Sequence, residues 1–259
     1  MKLTVSDVTF SYNSSLSLDG VSFELQESQI LGIIGPNGSG KTTLLKCINK
    51  ILKPKSGSII LNDNEIQKMS RLQIAKHVGY VPQNSVSPQA LTVFEIVLMG
   101  RRPHIAWQSS QKDVEKTWQV LALLGIEHLA LRNFNELSGG EQQRALIARS
   151  VAQEAKVLLL DEPTSNLDIK HQLEVMELAH ELVTKQKLAA VVAIHDLNLA
   201  SRYCDKIVMM KNGKIFAAGN ASSVLTPDGI QSVYGVEVTV NYHNKIANII
   251  PIKPIAAIN

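Results

Sequence analysis

The order of apolar and polar positions along the chain predicts an α/β fold. Near the start, "KLTVSDVTFSY" and "LDGVSFELQ" alternate in the way that is typical of antiparallel strands. The short apolar runs "QILGIIG", "KVLLLDEP" and "LAAVVAIHD" indicate strands buried in a central sheet, and "SGSIILND", "GYVPQ" and "KIVMMKNGKIFAAG" predict further strands. The pattern therefore predicts a mixed central sheet together with an N-terminal antiparallel β subdomain.

Helical spacing of apolar residues occurs in two parts of the chain. The segment "GKTTLLKCINKIL" predicts a helix that stops before Lys53 and Pro54. From about Asn84 to Gln153 helix follows helix, in "LTVFEIVLMG", "KDVEKTWQVLALLG" and "SGGEQQRALIARSVAQ", and "LEVMELAHELVTKQ" predicts another. We expect one domain, with an α/β core over 1–83 and 154–225, an inserted helical subdomain over 84–153, and a small C-terminal extension over 226–259 that contains a strand pair.

Composition and charge narrow the class of protein. The 259 residues carry a formal charge of +3 without a long basic run, so no nucleic-acid partner is expected. The longest apolar runs fall short of the roughly 20 residues that a membrane span needs, and the N-terminus lacks the apolar core of a signal peptide. Cys47 and Cys204 are too few for a disulfide framework, which favours a reducing cytoplasm and buried thiols.

The stretch "GPNGSGKT" at Gly35 to Thr42 matches the phosphate-binding loop G-x-x-x-x-G-K-[ST]. It follows the apolar strand and precedes a helix, which is the position that phosphate binding requires. Glycines let successive backbone N–H groups turn toward one anion, and the helix N-terminus adds its positive end. The loop therefore predicts ATP binding, with Lys41 at the β- and γ-phosphates and the Thr42 hydroxyl on Mg²⁺.

The strand "VLLLDEP" supplies acidic groups for the same chemistry. Four apolar residues bury the strand and place Asp161 at its end, where the carboxylate is predicted to hold Mg²⁺. Glu162 is predicted to polarise a water molecule in line with the γ-phosphate. Without the phosphate-binding loop, an apolar strand that ends in Asp-Glu would be a weak signal.

Three further residues have two interpretations each. Gln83 is either a solvent-facing loop residue or a ligand of Mg²⁺ or of the attacking water that links the core to the helical insertion. His195, which follows the apolar strand, is either a strand-edge histidine or a hydrogen-bond donor to the γ-phosphate. Tyr12 either packs within its strand or offers adenine an aromatic face. The other histidines lack the clustered spacing of a transition-metal site.

Taken in order, these motifs resemble those of the ATP-binding cassette family. Gly35 to Thr42, Gln83, "LSGGE" at Leu137 to Glu141, "VLLLDE" at Val157 to Glu162, "SNLD" at Ser165 to Asp168, and His195 are similar to its Walker A, Q-loop, signature, Walker B, D-loop and switch histidine. The resemblance runs from Tyr12 to about Gly219 and implies a P-loop ATPase with an inserted helical subdomain. It implies catalytic roles for Lys41, Gln83, Glu162 and His195, and metal contacts at Thr42, Gln83 and Asp161. It also implies nucleotide contacts at Tyr12, Gly35, Pro36, Asn37, Gly38, Ser39, Gly40, Lys41, Thr42, Thr43, Ser138, Gly139, Gly140 and Asp168.

The signature is similar to the element that caps the γ-phosphate bound by a second protomer. Its residues predict a helix N-terminus with Ser138 as the N-cap and Glu141 closing a capping box, so that Ser138, Gly139 and Gly140 can present N–H groups to an anion. A capped helix alone would explain Ser138 and Glu141 but not the paired glycines. The family implies a head-to-tail homodimer with two MgATP at its interface and with Asp168 communicating between the sites.

The stretches "LTVFEIVLMGRRPH", "LDIKHQLEV" and "HDLNLASRYCDKIVMMKNGKIFAAG" are similar to the ATPases of bacterial and archaeal importers for iron-siderophores, haem and cobalamin. That branch implies two separate transmembrane permease subunits, an external substrate-binding protein, and a peripheral place on the cytoplasmic face of a prokaryotic membrane. Arg101 and Arg102 are interpreted either as a permease contact or as a solvated helix end. Another cargo, or a non-transport cassette subunit of the metal-cluster assembly type, stays open as an alternative, as does a cassette ATPase acting on nucleic acid or ribosomes.

Overall fold

A computed structural model describes residues 1–83, 91–244 and 246–255 of the chain. The strands are β1 (Lys2–Tyr12), β2 (Ser15–Gln26), β3 (Ile30–Ile34), β4 (Ser56–Leu61), β5 (Asn64–Glu65), β6 (Val78–Val81), β7 (Val157–Asp161), β8 (Ala189–Ala193), β9 (Lys206–Lys211), β10 (Lys214–Gly219), β11 (Val236–His243) and β12 (Ile246–Pro254). The helices are α1 (Lys41–Ile48), α2 (Arg71–Ala75), α3 (Val93–Leu98), α4 (Gln111–Leu123), α5 (Gly139–Ala152), α6 (Ile169–Lys185), α7 (Leu197–Tyr203), α8 (Ala221–Val224) and α9 (Pro227–Tyr234). Residues 84–90 of the predicted insertion, and 245 and 256–259 of the predicted extension, lie outside the described residues.

The chain divides into two compact units. The first, called here the terminal unit, consists of Met1–Lys68 and Ala189–Asn259, and the second, the middle unit, consists of Met69–Leu188. Each unit contains a share of the predicted site residues, and each is built around its own strands and helices.

Besides the C-terminal strand pair β11/β12, the terminal unit contains strands of two larger sheets. In the first, the strands lie in the order β2-β1-β4-β5 and are antiparallel. In the second, β3 pairs in parallel with β8 on one side and with β9 on the other, and β10 adds an antiparallel edge. All five residues of β3 and of β8 are buried, as expected for strands covered on both faces. The predicted mixed sheet and antiparallel β subdomain are confirmed.

Helix α1 ends earlier than its apolar pattern predicts. The sequence predicts a helix that runs on toward Leu52, whereas α1 ends at Ile48 with Asn49 as its C-cap. Lys50 takes a left-handed conformation with φ of 53°, and the N–H of Ile51 donates to the carbonyl of Lys46 over 2.9 Å. This six-to-one hydrogen bond is typical of a Schellman ending, which stops a helix although the apolar pattern continues.

The C-terminal strands form the predicted pair. β11 and β12 are antiparallel, with Val240 opposite Ile249, and Ala247 and Ile249 of β12 are buried. Asn198 and Ser201 of α7 bind the backbone of β12, so this hairpin is attached to the helix that follows strand β8.

The middle unit holds the parallel pair β6/β7 and a group of helices in which α3 and α4 pack on α5. Helices α2, α3, α4 and α5 each begin with a complete capping box, in which the N-cap hydroxyl accepts from the third backbone N–H and the third side chain accepts from the N-cap N–H. The predicted capping box of Ser138 and Glu141 is therefore confirmed. No helix among residues 1–83, 91–244 and 246–255 is long and apolar enough to span a membrane.

Arg101 is a buried structural residue rather than a surface contact. Only 8% of its surface is exposed, and its Nε donates to Asp113 over 3.1 Å while one terminal nitrogen donates to the Ala152 carbonyl over 2.7 Å and to Glu154 over 2.8 Å. Lys116 lies 3.0 Å from the second oxygen of Glu154. Of the two arginines interpreted as permease contacts, only Arg102 is exposed.

These cations make the stability of the chain depend on pH through Glu154. The Arg101 hydrogen bond is the largest cause that lowers the pKa of the Glu154 carboxyl from 4.5 to about 2. A carboxyl with a depressed folded-state pKa stabilises the fold above its unfolded pKa, and this contribution is lost as pH falls from about 4.5 toward 2. We expect Glu154→Gln to flatten the pH dependence of the urea midpoint between pH 5 and 3, whereas the exposed control Glu127→Gln should leave the dependence close to that of the unaltered chain. Parallel curves for Glu154→Gln and the unaltered chain would contradict this account.

Candidate active site

The phosphate-binding loop lies between β3 and α1 in the terminal unit. Gly38 and Gly40 have φ angles of 77° and 105°, which a residue with a side chain rarely adopts. A Cβ at Gly40 would also lie 2.6 Å from the carbonyl oxygen of Ser17 on β2. The loop is thus shaped by glycine at positions where a side chain would strain the backbone or clash with the neighbouring strand.

The side chains of this loop fit a bound phosphate. The Lys41 ammonium donates to the carbonyls of Gly35 over 2.8 Å and Pro36 over 3.1 Å, which holds a buried positive charge over the loop. The Ser39 hydroxyl is buried and has no hydrogen-bond partner within the described part of the chain. Among the described residues, no side chain accepts a hydrogen bond from the N-terminus of α1. The first backbone N–H groups of this helix therefore face the loop. A buried cation, an unpaired hydroxyl and a helix N-terminus form a coherent anion site.

The other predicted residues of the terminal unit have different surroundings. Thr43 is buried, and its Oγ1 accepts a hydrogen bond from Ser17 over 3.0 Å. Tyr12 is 46% exposed and stacks edge-on against Phe10 with 4.9 Å between the ring centroids, which leaves part of its ring open to a planar group. His195 is exposed and lies two residues after the end of β8. It stands between Ile194, whose N–H donates to the carbonyl of Ile33, and Asp196, the N-cap of α7.

The acidic residues lie at the end of β7 in the middle unit. Asp161 is 1% exposed, and Tyr80 of the neighbouring parallel strand donates its phenolic hydrogen to the Asp161 Oδ2 over 3.0 Å. This hydrogen bond fixes the orientation of a carboxylate whose oxygens suit Mg²⁺. Since Mg²⁺ is usually held by one or two carboxylates together with phosphate oxygens and water, Asp161 fits a magnesium ligand.

Glu162 has a strained backbone beside Gln83. Its φ of 51° lies in the left-handed region, which is unfavourable for a residue with a Cβ. Both the N–H and the hydroxyl of Ser165 donate to the carbonyl of Glu162, over 3.1 and 2.9 Å, and so hold this conformation. The Gln83 amide donates to the Glu162 carboxylate. The structure therefore brings together Gln83 and Glu162, the pair predicted to handle the attacking water, at a point of backbone strain.

The signature segment begins helix α5 and packs against the residues around Asp168. Ser138 accepts from the Glu141 N–H, and the Ser138 hydroxyl is the largest cause that lowers the pKa of the Glu141 carboxyl. A Cβ on Gly140 would overlap the ring of His171, lying 2.9 Å from its Cγ, and one on Gly139 would lie 3.1 Å from the Leu167 Cδ2. The paired glycines thus have a packing role inside the middle unit that their pattern did not reveal.

Asp168 forms the N-cap of α6. Its carboxylate accepts from the His171 N–H over 2.9 Å and lies 2.8 Å from the His171 Nδ1. The hydrogen bonds from His171 lower the pKa of the Asp168 carboxyl below its usual value, and the hydrogen bond from the His171 backbone N–H is the largest cause. His171 therefore contacts both the predicted D-loop aspartate and the signature glycine, and it links two segments that the sequence assigned separately.

The contact of Gly140 with His171 leads to a prediction about stability. Gly140→Ala should lower the free energy of unfolding by about 1–3 kcal/mol, since the added methyl forces the imidazole and its neighbours to move. Adding His171→Ala should recover most of that loss, because the smaller side chain makes room for the methyl. Gly139→Ala is the matched control and should cost less, because it meets only the flexible end of Leu167. Urea unfolding of the unaltered chain and of these three variants measures these differences; equal losses for the two glycine changes would count against the packing role.

Several residues of the site were missed by the sequence analysis. Tyr80 lies in a predicted strand, but nothing in its pattern shows that its hydroxyl reaches Asp161 across the neighbouring strand. His171 stands three positions after Asp168. An N-cap side chain commonly accepts a hydrogen bond from the N–H at this spacing, so this local contact could have been predicted. Its contact with Gly140, and the contact of Ser17 with Thr43, join segments far apart in sequence.

Comparison with known proteins identifies the family. Residues 18–165 match the family model for ABC transporters. The chain belongs to the ABC transporter family. An uncharacterised ABC transporter ATP-binding protein of Methanocaldococcus jannaschii is 48% identical over 97% of this chain and 98% of its own length. A petrobactin import ATP-binding protein of Bacillus anthracis is 39% identical over 90% of this chain and 86% of its own length.

A solved structure described as an inward-facing metal-chelate type ABC transporter is similar to this ABC ATPase, with a TM-score of 0.85, 31% identity and 96% of each chain covered. The ABC ATPase fold is thereby confirmed, and the enzyme activity of the chain is that of an ATP-binding ATPase of the ABC transporter family. Within this ABC ATPase, the terminal unit carries the residues predicted as the Walker A loop and the switch histidine, together with Tyr12. The middle unit carries the residues predicted as the Q-loop, signature, Walker B and D-loop.

Proposed function

We propose that this ABC ATPase powers the import of a metal chelate, an iron-siderophore, haem or cobalamin, through two separate transmembrane permease subunits. The observation that carries the ATPase part is the Glu162 carboxylate, held beside Gln83 at the end of a buried strand, in a chain that also has a complete phosphate-binding loop. The petrobactin import relative and the metal-chelate type structure support the direction of transport and the class of cargo.

Phosphate binding is the task of the loop between β3 and α1. Its N–H groups and the N-terminus of α1 bind the phosphate oxygens, and the Lys41 ammonium neutralises the β- and γ-phosphates. Thr42 and Asp161 hold Mg²⁺ with help from Gln83, and Tyr80 keeps the Asp161 carboxylate oriented. When bound, Mg²⁺ offsets the negative charge that develops during phosphoryl transfer. Tyr12 offers its exposed ring to the adenine.

Hydrolysis requires a base and a way to orient the attacking water. Glu162 accepts the proton of that water. The Gln83 amide, which donates a hydrogen bond to the Glu162 carboxylate, orients the water for attack. His195 donates a hydrogen bond to the γ-phosphate. The left-handed backbone of Glu162 is the strained feature that Ser165 holds in place for this task.

Two copies of the chain form the working unit. In a head-to-tail homodimer, the N–H groups at the start of α5, from Ser138 to Gly140, bind the γ-phosphate held by the partner's phosphate-binding loop. Closure of the dimer is favoured while both copies bind the γ-phosphate, and hydrolysis weakens the interface between them. Asp168, fixed by His171 against the signature, communicates between the two sites.

The permease and the cargo determine where the chain works. We place the homodimer on the cytoplasmic face of a prokaryotic cell membrane, bound to the permease, which receives its cargo from an external substrate-binding protein. Selectivity for the chelate resides in those partners rather than in the ATPase, because the ATPase acts on ATP alone.

Cargo uptake tests the proposal. Cells that carry the intact chain or Glu162→Gln are assayed for accumulation of a ferric siderophore, haem and cobalamin in parallel. We expect the altered chain to abolish accumulation of one cargo while the external protein still binds it. If all three accumulate equally in both strains while the intact chain hydrolyses ATP, the metal-chelate assignment is wrong and another cargo or a non-transport role replaces it.

A further inference from the structure

The C-terminal hairpin β11/β12 is attached to the helix that follows the switch histidine. The Asn198 side chain of α7 makes two hydrogen bonds to one residue of β12: its Oδ1 accepts from the Ile249 N–H over 2.7 Å and its Nδ2 donates to the Ile249 carbonyl over 3.2 Å. One turn further along α7, the Ser201 hydroxyl accepts from the Ala247 N–H over 2.8 Å. Ala247, Ile249 and Ser201 are all buried.

These hydrogen bonds pair the Ala247 N–H and the Ile249 N–H and carbonyl, which lie on the edge of the hairpin that faces away from β11. Ala247 and Ile249 stand two positions apart on β12, so their backbone groups point to the same side of the strand. Asn198 and Ser201 stand three positions apart on α7 and therefore share one face of the helix. The two side chains occupy positions that a third strand would otherwise fill. The hairpin and α7 are held together by one buried hydrogen bond, from Ala247 to Ser201, and by two part-buried hydrogen bonds between Asn198 and Ile249.

In the sequence, His195 stands between a residue bound to the central sheet and the N-cap of α7. On one side, the Ile194 N–H donates to the carbonyl of Ile33, which fixes the end of β8 to β3. On the other side, Asp196 caps α7 by accepting from the N–H groups of Asn198 and Leu199, over 2.7 and 3.0 Å. Asn198 is thus bound both to the cap next to His195 and to the hairpin.

A cavity of about 330 Å³ places the hairpin close to the histidine. His195 and Asp196 line it together with Val238 and Pro251 of the hairpin and Tyr234 of α9. The hairpin and His195 line the same cavity. A shift of the hairpin therefore changes the position of the backbone at His195 and the space that is available to the imidazole.

We propose that Asn198 is a positioning residue for His195, and that the C-terminal hairpin acts through it to hold the switch histidine in its productive place. The proposal rests on the function proposed above for His195. A misplacement of a catalytic group by about 1 Å can lower a rate by about 100-fold, so the loss of a two-point attachment next to the histidine is expected to lower turnover without removing the ATP site.

The test measures kcat and KM for ATP in the 259-residue chain with Asn198→Asp, whose carboxylate has no hydrogen to donate to the Ile249 carbonyl. We expect kcat to fall about tenfold and KM to change less than twofold. Asn248→Ala, which removes an exposed asparagine from the same strand, is the control and should leave both constants unchanged. Ser201→Ala removes only the second attachment and should lower kcat by a smaller factor with the fold intact, which keeps the test decisive if Asn198→Asp does not fold.

Combination with His195→Ala separates positioning from general stability. If Asn198 acts through the histidine, Asn198→Asp should lower kcat no further in the His195→Ala chain. An equal fold-loss in both backgrounds, or unaltered kcat for both Asn198→Asp and Ser201→Ala, would overturn the proposal. An unaltered kcat for His195→Ala alone would instead refute the role proposed for the histidine, and the two failures are thereby distinguished.

Discussion

Glu162→Gln is expected to reduce steady-state ATP hydrolysis by about 10²–10⁴-fold while ATP binding persists. The amide keeps the size of the carboxylate but accepts no proton from the attacking water. The phosphate-binding loop is untouched, so nucleotide affinity should stay within a few-fold of the unaltered value. Two copies should then remain closed around unhydrolysed ATP, which size-exclusion chromatography with and without ATP detects.

Glu181→Gln on the exposed face of α6 is the matched control for this change. Its carboxylate forms an exposed ion pair with Lys185, so its loss should alter hydrolysis little. If Glu162→Gln hydrolysed ATP at the unaltered rate, Glu162 would not be the base. If it failed to bind ATP, the carboxylate would have a structural role at the site in place of a chemical one.

Lys41→Ala is expected to weaken ATP binding by about 10- to 150-fold. A hydrogen bond to a charged group contributes about 1.5–3 kcal/mol, and 1.4 kcal/mol corresponds to a tenfold change in affinity. The substitution removes the buried ammonium that is held over the loop by the carbonyls of Gly35 and Pro36. Titration with a fluorescent ATP analogue measures the loss.

Lys53→Ala provides the control for lost positive charge, because Lys53 is exposed beyond the end of α1. It should bind the analogue as the unaltered chain does. Equal affinities for Lys41→Ala and the unaltered chain would show that the ammonium does not contact the phosphates. A large loss in Lys53→Ala would show that overall charge, rather than the loop, governs binding.

The parts of the fold with strong local signals were predictable. β3, β7 and β8 are continuous apolar runs, and such runs are buried wherever parallel strands are covered on both faces. The capping box at Ser138 follows from residues three positions apart, so its geometry is contained in the local sequence. Short helices such as α2 and α7 were not predicted, since five to seven residues give too little periodicity to distinguish a helix from a loop.

The candidate site was predictable as a set of residue types but not as a set of contacts. The motifs indicated Gln83, Asp161 and Glu162, yet the left-handed backbone of Glu162 follows from the turn closed by Ser165 rather than from a glycine. Contacts such as Tyr80 with Asp161 join distant segments, and only the folded chain brings these side chains together. Asn166, in the D-loop stretch, has a φ of 61°, a conformation that asparagine tolerates better than most residues.

In the proposed homodimer, each ATP is held by the phosphate-binding loop of one copy and by the signature of the other. The most direct measurement uses isotopically heavy chains with Lys41→Ala, mixed with light chains that have an intact loop; both carry Glu162→Gln to keep the dimer closed. A photoreactive ATP analogue with its reactive group on the γ-phosphate is added, and the labelled peptides are identified by mass spectrometry. We expect label on the heavy peptide that contains Ser138 to Gly140, since the signature of the heavy chain contacts the nucleotide held by its light partner. Label confined to the light chains would contradict it.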